Sequence, residues 1–143
     1  MEDTQEQRVE YPNGDVYEGT LLDKKHHGHG TMEYQNGERY NGEWQAGLRH
    51  GEGTHNTASG EEYSGHWEED VRCGTGTLYM TDGGMYQGEW KADKRHGPGT
   101  LNESSGARYD GDWFEDAKTG TGVLYEVDGT IYEGGVEAGE RQG

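Results

Sequence analysis

The residue types best suited to hold a metal or attack an electrophile are few in this chain and regularly placed. There are 7 histidines and 1 cysteine in 143 residues. His26, His27 and His29 cluster. His50 and His96 return to the His27 column of a repeating pattern, and Cys73 fills the same column. Side chains a whole repeat apart are too distant to share one ion, so the column predicts no metal centre. Cys73 has no base placed beside it, which a reactive thiolate needs. Carboxylates are abundant, yet none lies in an apolar stretch that would move its pKa toward acid–base work. Gly-x-Gly recurs, but never as G-x-G-x-x-G opening a helix, so no nucleotide cradle is expected. The reading is of a protein that is not an enzyme and that carries neither metal nor cofactor.

Two other sets of residues could act by binding. Lys24, Lys25, Arg49, Arg72, Lys94, Arg95, Lys118 and Arg141 lie in the polar loops between repeated segments and form a ladder along one edge. Arg49, Arg72, Arg95 and Lys118 are the candidates for an anionic ligand such as a phosphoinositide or an acidic partner. The alternative is that these cations pair with Asp23, Glu69, Asp70, Asp93, Glu115 and Asp116 beside them. A net charge of -17 favours that alternative and makes membrane attachment the weaker reading. The second set is aromatic: Tyr40, Trp44, Tyr63, Trp67, Tyr86, Trp90, Tyr109 and Trp113. A stripe of such rings with polar rims suits a protein partner, because Tyr and Trp are common interface anchors. The same rings could also pack on one another as the core that such a chain has available, and the two roles are compatible.

These residues are positioned by an internal repeat. Tyr17, Tyr40, Tyr63, Tyr86, Tyr109 and Tyr132 follow one another at a single constant interval, and Gly19, Gly42, Gly65, Gly88, Gly111 and Gly134 keep the same phase. So do the turn glycines Gly14, Gly37, Gly60, Gly83, Gly106 and Gly129, and the pairs that begin Gly28-x-Gly30 and Gly51-x-Gly53. No insertion breaks the phase. Hydrophobic residues are only 27% of the chain, too few for a two-layer core. Asn13-Gly14, Asn36-Gly37 and Asp82-Gly83 between short alternating runs are hairpin signals, since Gly accepts positive φ. Each copy is therefore read as a β-hairpin, roughly residues 28–34 and 38–44 in the second copy.

Two registers are possible. A two-residue loop sets Tyr40 across from Glu33. A three-residue loop, with Gly37 as a G1 bulge, sets Tyr40 across from Met32, Gly42 across from Gly30 and Trp44 across from Gly28. The second gathers the apolar groups on one face and sets Glu33 against Arg39 on the other, and is preferred. Facing glycines then leave a hollow in which rings can lie flat, which makes Gly42, Gly65, Gly88 and Gly111 structural. The face carrying Thr31, Thr54, Thr77, Thr100 and Val123 with Glu43, Glu89 and Asp112 reads as solvated.

Composition excludes several classes. One cysteine permits no intrachain disulfide and fits a reducing compartment. Residues 1–10 are acidic, lack the apolar segment of a secretory signal, and read as a disordered tail. No apolar run approaches the ~20 residues of a membrane span. With 29 acidic against 12 basic residues the net field repels nucleic acid. A soluble, cytoplasmic protein is expected.

Tyr40-Asn41-Gly42-Glu43-Trp44, Tyr86-Gln87-Gly88-Glu89-Trp90 and Arg95-His96-Gly97-Pro98-Gly99 resemble the MORN (membrane occupation and recognition nexus) repeat, Y-x-G-x-W-x-x-G-x-x-x-G-x-G. The resemblance covers residues 11–143 as six copies, the first and last incomplete. It implies an all-β fold: an elongated, single-layer, twisted antiparallel sheet of consecutive hairpins. At ~4.8 Å between strands, six copies would make a rod of about 50–60 Å. The first copy lacks its strand-one glycines, and the last stops at Gly143, so either the chain is cropped or its last edge is open for pairing. The resemblance further implies a structural role for the His27 column. It implies a non-catalytic scaffold that receives a partner helix or strand along the aromatic face, homo-oligomers or pairing with another MORN protein, and links to phospholipid. MORN arrays also accompany lipid kinases and a lysine methyltransferase as accessory modules. Tyr11–Gly19 and the recurring R-H-G-x-G-T are similar to MORN proteins of the ciliary radial-spoke head, so the expected setting is a cilium or cytoskeletal assembly.

Overall fold

Two kinds of reversal alternate along the chain, and each follows from its residues. At the first kind, a backbone N–H leaving one strand closes onto a carbonyl entering the next, as Tyr34 N donates to Glu38 O at 2.9 Å and Met80 N to Gly84 O at 2.8 Å. Inside this loop Gly37 N donates to Tyr34 O at 3.0 Å with Gly37 at φ 96°. That is the three-residue loop with a G1 bulge. The residue before the glycine completes it: Glu38 N donates to Asn36 Oδ1 at 2.9 Å, and Gly84 N to Asp82 Oδ1 at 2.8 Å. At the second kind, two residues suffice. Asp23-Lys24, Ala46-Gly47, Ala92-Asp93 and Glu115-Asp116 all have φ between 46° and 86°, the conformation of a type I′ turn. These are the polar inter-repeat loops of the sequence reading. They are tight hairpins in their own right, so the strands continue through the expected loops.

The computed structural model describes residues 4–137 and 140–141. The described residues are all β, with no helix. The chain divides into two units, Met1–Val71 and Arg72–Gly143. The first contains β1 (Thr4–Glu10), β2 (Val16–Leu22), β3 (Lys25–Glu33), β4 (Arg39–Gln45), β5 (Leu48–Asn56) and β6 (Glu62–Glu68). Each pairs antiparallel with its neighbour in sequence. From Arg72 onward the second contains β7 (Val71–Tyr79), β8 (Met85–Lys91), β9 (Lys94–Asn102), β10 (Arg108–Phe114), β11 (Ala117–Tyr125), β12 (Ile131–Glu137) and β13 (Glu140–Arg141). These pair in the same consecutive way. Tyr40 faces Met32, Gly42 faces Gly30, Trp44 faces Gly28 and Glu33 faces Arg39, as the preferred register requires. Tyr86 faces Leu78 and Trp90 faces Gly74 in the same way.

One expectation is corrected at the start of the chain. Residues 4–10 of the expected disordered tail form β1, with Val9 opposite Tyr17 and Gln7 opposite Gly19. Residues 1–3 lie outside the described residues, as does Gly143. The physical reason is periodic: Gln5, Gln7 and Val9 stand one full repeat before Gly28, Gly30 and Met32, so β1 is the first strand of the first copy. Glycine is needed at residue 30 because the Tyr17 ring lies on it. Residue 7 is exposed, and glutamine fits there.

Glycines in the repeat serve two separate ends. At Gly53 an added Cβ would sit 2.5 Å from Tyr40 Cε1, so that ring lies directly on the backbone. Across from it, a Cβ on Gly42 would meet the Glu52 carbonyl at 2.6 Å. Gly51 differs: its φ is 70°, and the pairing of β4 with β5 slips between Gly42 and Trp44. This column is glycine for a backbone bulge.

Candidate functional site

The aromatic columns are built from the backbone upward. Tyr40, Gly42 and Trp44 alternate with Asn41 and Glu43, so they share one face of β4. The Tyr40 ring reaches over Gly53, and its hydroxyl donates to Glu43 O at 2.9 Å. Tyr63 donates likewise to His66 O, Tyr86 to Glu89 O and Tyr109 to Asp112 O, at 2.8–3.0 Å. Each tryptophan donates from Nε1 to a glycine carbonyl of the preceding strand: Trp44 to Gly30, Trp67 to Gly53, Trp90 to Gly76 and Trp113 to Gly99, at 3.0–3.2 Å. The rings then meet edge to face. Trp67 stands 5.5 Å from Tyr40 and 5.2 Å from Tyr63, and Trp113 stands 5.3 Å from Tyr86 and 5.4 Å from Tyr109.

A layer of arginines closes this face. The guanidinium of Arg49 lies 4.6 Å over Trp67, that of Arg72 4.5 Å over Trp90, and that of Arg95 4.5 Å over Trp113. Each is held by a carboxylate in the next two-residue turn. Arg49 Nε donates to Asp70 Oδ1, Arg72 Nε to Asp93 Oδ1 and Arg95 Nε to Asp116 Oδ1, all at 3.1 Å. The same carboxylate oxygen accepts the arginine's own backbone N–H at 2.8–2.9 Å. Lys118 Nζ lies 5.4 Å from the Tyr109 ring. At the first position His26 replaces the arginine and Gly47 the aspartate. His26 stacks on Tyr17 at 3.9 Å, meets Trp44 at 4.9 Å, and hydrogen-bonds Tyr11 Oη at 2.7 Å.

These contacts place both sets of candidate residues. Tyr40, Tyr63, Tyr86 and Tyr109 are at most 1% exposed, and Trp44, Trp67, Trp90 and Trp113 at most 5%. Among the described residues these rings form the core. Arg49, Arg72 and Arg95 are not free loop cations: they sit on β5, β7 and β9 as the cover of those rings. They pair with aspartates, as the alternative reading held, but with those of the following inter-repeat turn rather than those beside them. Their partners were legible in the repeat. Arg49, Arg72 and Arg95 recur with Asp70, Asp93 and Asp116, and both members change together at His26 and Gly47. Gly42, Gly65, Gly88 and Gly111 stand opposite Gly53, Gly53, Gly99 and Gly99 respectively, in the ring-floor columns.

Electrostatics follow from burial. Removal from water pushes the Tyr17 and Tyr86 phenols up to about 12 and the Tyr40 phenol further in the same direction. Burial lowers the His26 pKa. No three His, Cys, Asp or Glu side chains among the described residues are grouped to hold a metal ion. A hollow of about 520 Å3 opens beside β1, lined by Gln5, Gln7, Val9, Tyr11, Leu21, Asp23 and Lys24.

The MORN repeat family pattern matches residues 17–39, 40–61, 63–85, 86–106 and 109–131. The chain belongs to the MORN repeat family. The matched frame starts at each tyrosine, so a MORN unit is a second strand, a two-residue turn and the following first strand. In that frame the Tyr40 ring and the Gly53 beneath it belong to one unit, while Trp67 reaches back to Gly53 of the unit before. Tyr132, the tyrosine of the sixth expected copy, falls after the last matched residue; it lies on β12 and donates to Gly135 O at 2.9 Å. Among solved structures, the TCP domain of SAS-4 (dCPAP) of Drosophila melanogaster, in complex with a proline-rich motif of Ana2 (dSTIL), is similar at 14% identity and a TM-score of 0.49. The likeness covers 89% of this chain and 82% of that one. No curated protein matches the chain.

Proposed function

We propose that this MORN chain is a non-catalytic scaffold that binds protein partners. The observation that carries this reading is the threefold recurrence of the arginine–tryptophan–aspartate arrangement at Arg49/Trp67/Asp70, Arg72/Trp90/Asp93 and Arg95/Trp113/Asp116. These arginines and aspartates are committed to holding rings. What remains is a preordered surface repeating the same contacts at fixed spacing, and such a surface loses little freedom when a partner helix or strand lies on it. A partner on the aromatic side meets the arginine cover of the rings. Pairing with a second copy or another MORN protein is part of this proposal.

The phosphoinositide reading is weaker. Its ligands would be Arg49, Arg72, Arg95 and Lys118, and the first three already face Asp70, Asp93 and Asp116. The cellular setting we propose is cytoplasmic, in a ciliary or cytoskeletal assembly of the radial-spoke-head kind, on the strength of Tyr11–Gly19 and the R-H-G-x-G-T strings.

The test is capture by the folded chain, with proximity cross-linking and mass spectrometry in ciliated cells, beside sedimentation with phosphoinositide vesicles. A saturable protein partner and no vesicle binding are expected. Vesicle binding without any cross-linked protein partner would overturn the scaffold reading, and exclusion of the tagged chain from the axoneme would overturn the setting.

A further inference from the structure

The face opposite the aromatic columns carries an unexpected feature in residues 72–143. Read across the strands, one unbroken register row runs Tyr79–Met85–Asn102–Arg108–Tyr125–Ile131. Directly opposed residues share a face, and these alternate with the buried Tyr86, Leu101, Tyr109 and their neighbours, so the row points away from the core. Tyr79 is 45% exposed and Ile131 58%. Arg108 lies 4.2 Å from the Tyr125 ring and covers part of it. The corresponding row in residues 4–71 is Glu10–Val16–Glu33–Arg39–Asn56–Glu62 and is mostly charged. On a face that the repeat pattern marks as solvated, one row thus gathers Tyr79, Met85, Tyr125 and Ile131, with Asn102 and Arg108 between them.

We propose that this row docks a basic amphipathic helix of a protein partner; the proposal rests on the scaffold reading and places a binding surface on the side that reading leaves unused. Charge complementarity chooses the sign. Exposed Asp82, Glu103 and Asp128 stand in the three turns flanking the row, and exposed Glu133 lies on its other side. Geometry chooses a helix. Neighbouring strands lie ~4.8 Å apart and a helical turn rises ~5.4 Å, so one apolar side chain per turn meets about one strand. Six strands span roughly 24 Å, the length of a helix of about 16 residues. A strand laid along the row repeats its same-face residues only every ~6.6 Å and falls out of step.

The full chain is titrated with a synthetic leucine/lysine peptide of about 16 residues, apolar at i, i+3, i+4 and i+7, and binding is mapped by amide chemical shifts. A control peptide carries glutamate for lysine. Shifts centred on Tyr79, Met85, Tyr125 and Ile131 are expected, with no binding of the glutamate peptide. Tyr79→Thr with Ile131→Thr keeps β-forming residues but removes two anchor side chains, and should weaken binding about a hundredfold, about tenfold for each. The shift map on the unaltered chain decides the surface whether or not that variant folds. Shifts confined to the arginine cover at Arg72 and Arg95, or no binding of the lysine peptide, would overturn the docking proposal and leave the scaffold reading standing. Self-association that the double variant abolishes would overturn it too, by making a second copy the occupant. A chain that captures vesicles and no protein would remove the scaffold reading itself.

Discussion

Arg49 donates from Nε to Asp70 Oδ1 at 3.1 Å, and the guanidinium so held lies 4.6 Å over the face of Trp67. The arginine side chain is 20% exposed and the carboxylate 41%. A pair so open to water contributes little by charge alone. Its larger effect is positional, since the aspartate fixes a flat cation where it shields a tryptophan from solvent. A single-layer sheet has no second layer to hide its rings, and this arrangement substitutes for one.

Coupling between the two side chains tests that view. Arg72→Ala and Asp93→Ala should each lower stability by about 1 kcal/mol, with a double-mutant coupling of about 0.5–1 kcal/mol because both remove the same cover. Denaturant unfolding of the four proteins reads it. Strict additivity would show that the aspartate does not act through the arginine.

Glycine replacement separates the two faces. Gly88→Val drives a side chain against the Gly99 backbone and the Pro98 carbonyl, where even a Cβ would come within 2.7 Å. Glu89→Val faces the other way and adds a strand-forming residue. The first should cost at least about 2 kcal/mol and the second under about 1 kcal/mol. Equal melting temperatures would contradict the assignment of faces.

Tryptophan variants distinguish core from contact. Trp67→Ala should lose about 3–5 kcal/mol, the range for a buried large ring. Trp67→Phe keeps most of the packing but forfeits the donor to the Gly53 carbonyl at 3.2 Å, and should lose about 1–2 kcal/mol. Full stability of the alanine variant, measured by calorimetry, would restore the open-stripe reading.

Alkaline pH should unfold the protein through its tyrosines. Below about pH 10, the ordinary phenol value, folded and unfolded states both keep the proton and the full stability is present. Above it the unfolded chain ionises first, because burial holds Tyr17 and Tyr86 up to about 12. Stability is therefore lost between about pH 10 and about 12, by up to about 1.4 kcal/mol per pH unit for each such ring. Phenolate absorbance should rise in two stages, the later one coincident with unfolding. A single stage centred on the ordinary value would show that the rings are wet.

Hydrogen exchange tests β1. Amides of residues 5–10 that bond to β2 should be protected, in alternation along the strand. Uniformly fast exchange would return this segment to a tail.

Much of the structure was readable without coordinates because the repeat is strict. The tyrosine and glycine columns imposed a hairpin period, and the register followed from collecting Tyr40, Gly42 and Trp44 with Met32, Gly30 and Gly28 on one face. A reader could also have seen Arg49 with Asp70, and His26 with Gly47, as linked positions. The meaning of that link was hidden, because nothing in a string of residues says that a carboxylate of the next turn folds back beside an arginine. β1 was obscured because its glutamines broke the glycine pattern, whose cause at Gly30, one repeat later, is the Tyr17 ring lying on the backbone.

The chain's own order of residues determined the strands, their pairing and which side holds the rings, since local turn chemistry and two-residue alternation settle these by themselves. Only the tertiary structure decided that the rings are closed to solvent and that the arginines face inward partners. It alone showed that Tyr79 and Ile131 stand in one row on the far face. Those outcomes depend on which side chains of neighbouring strands meet through space, and that distance is set by the folded sheet.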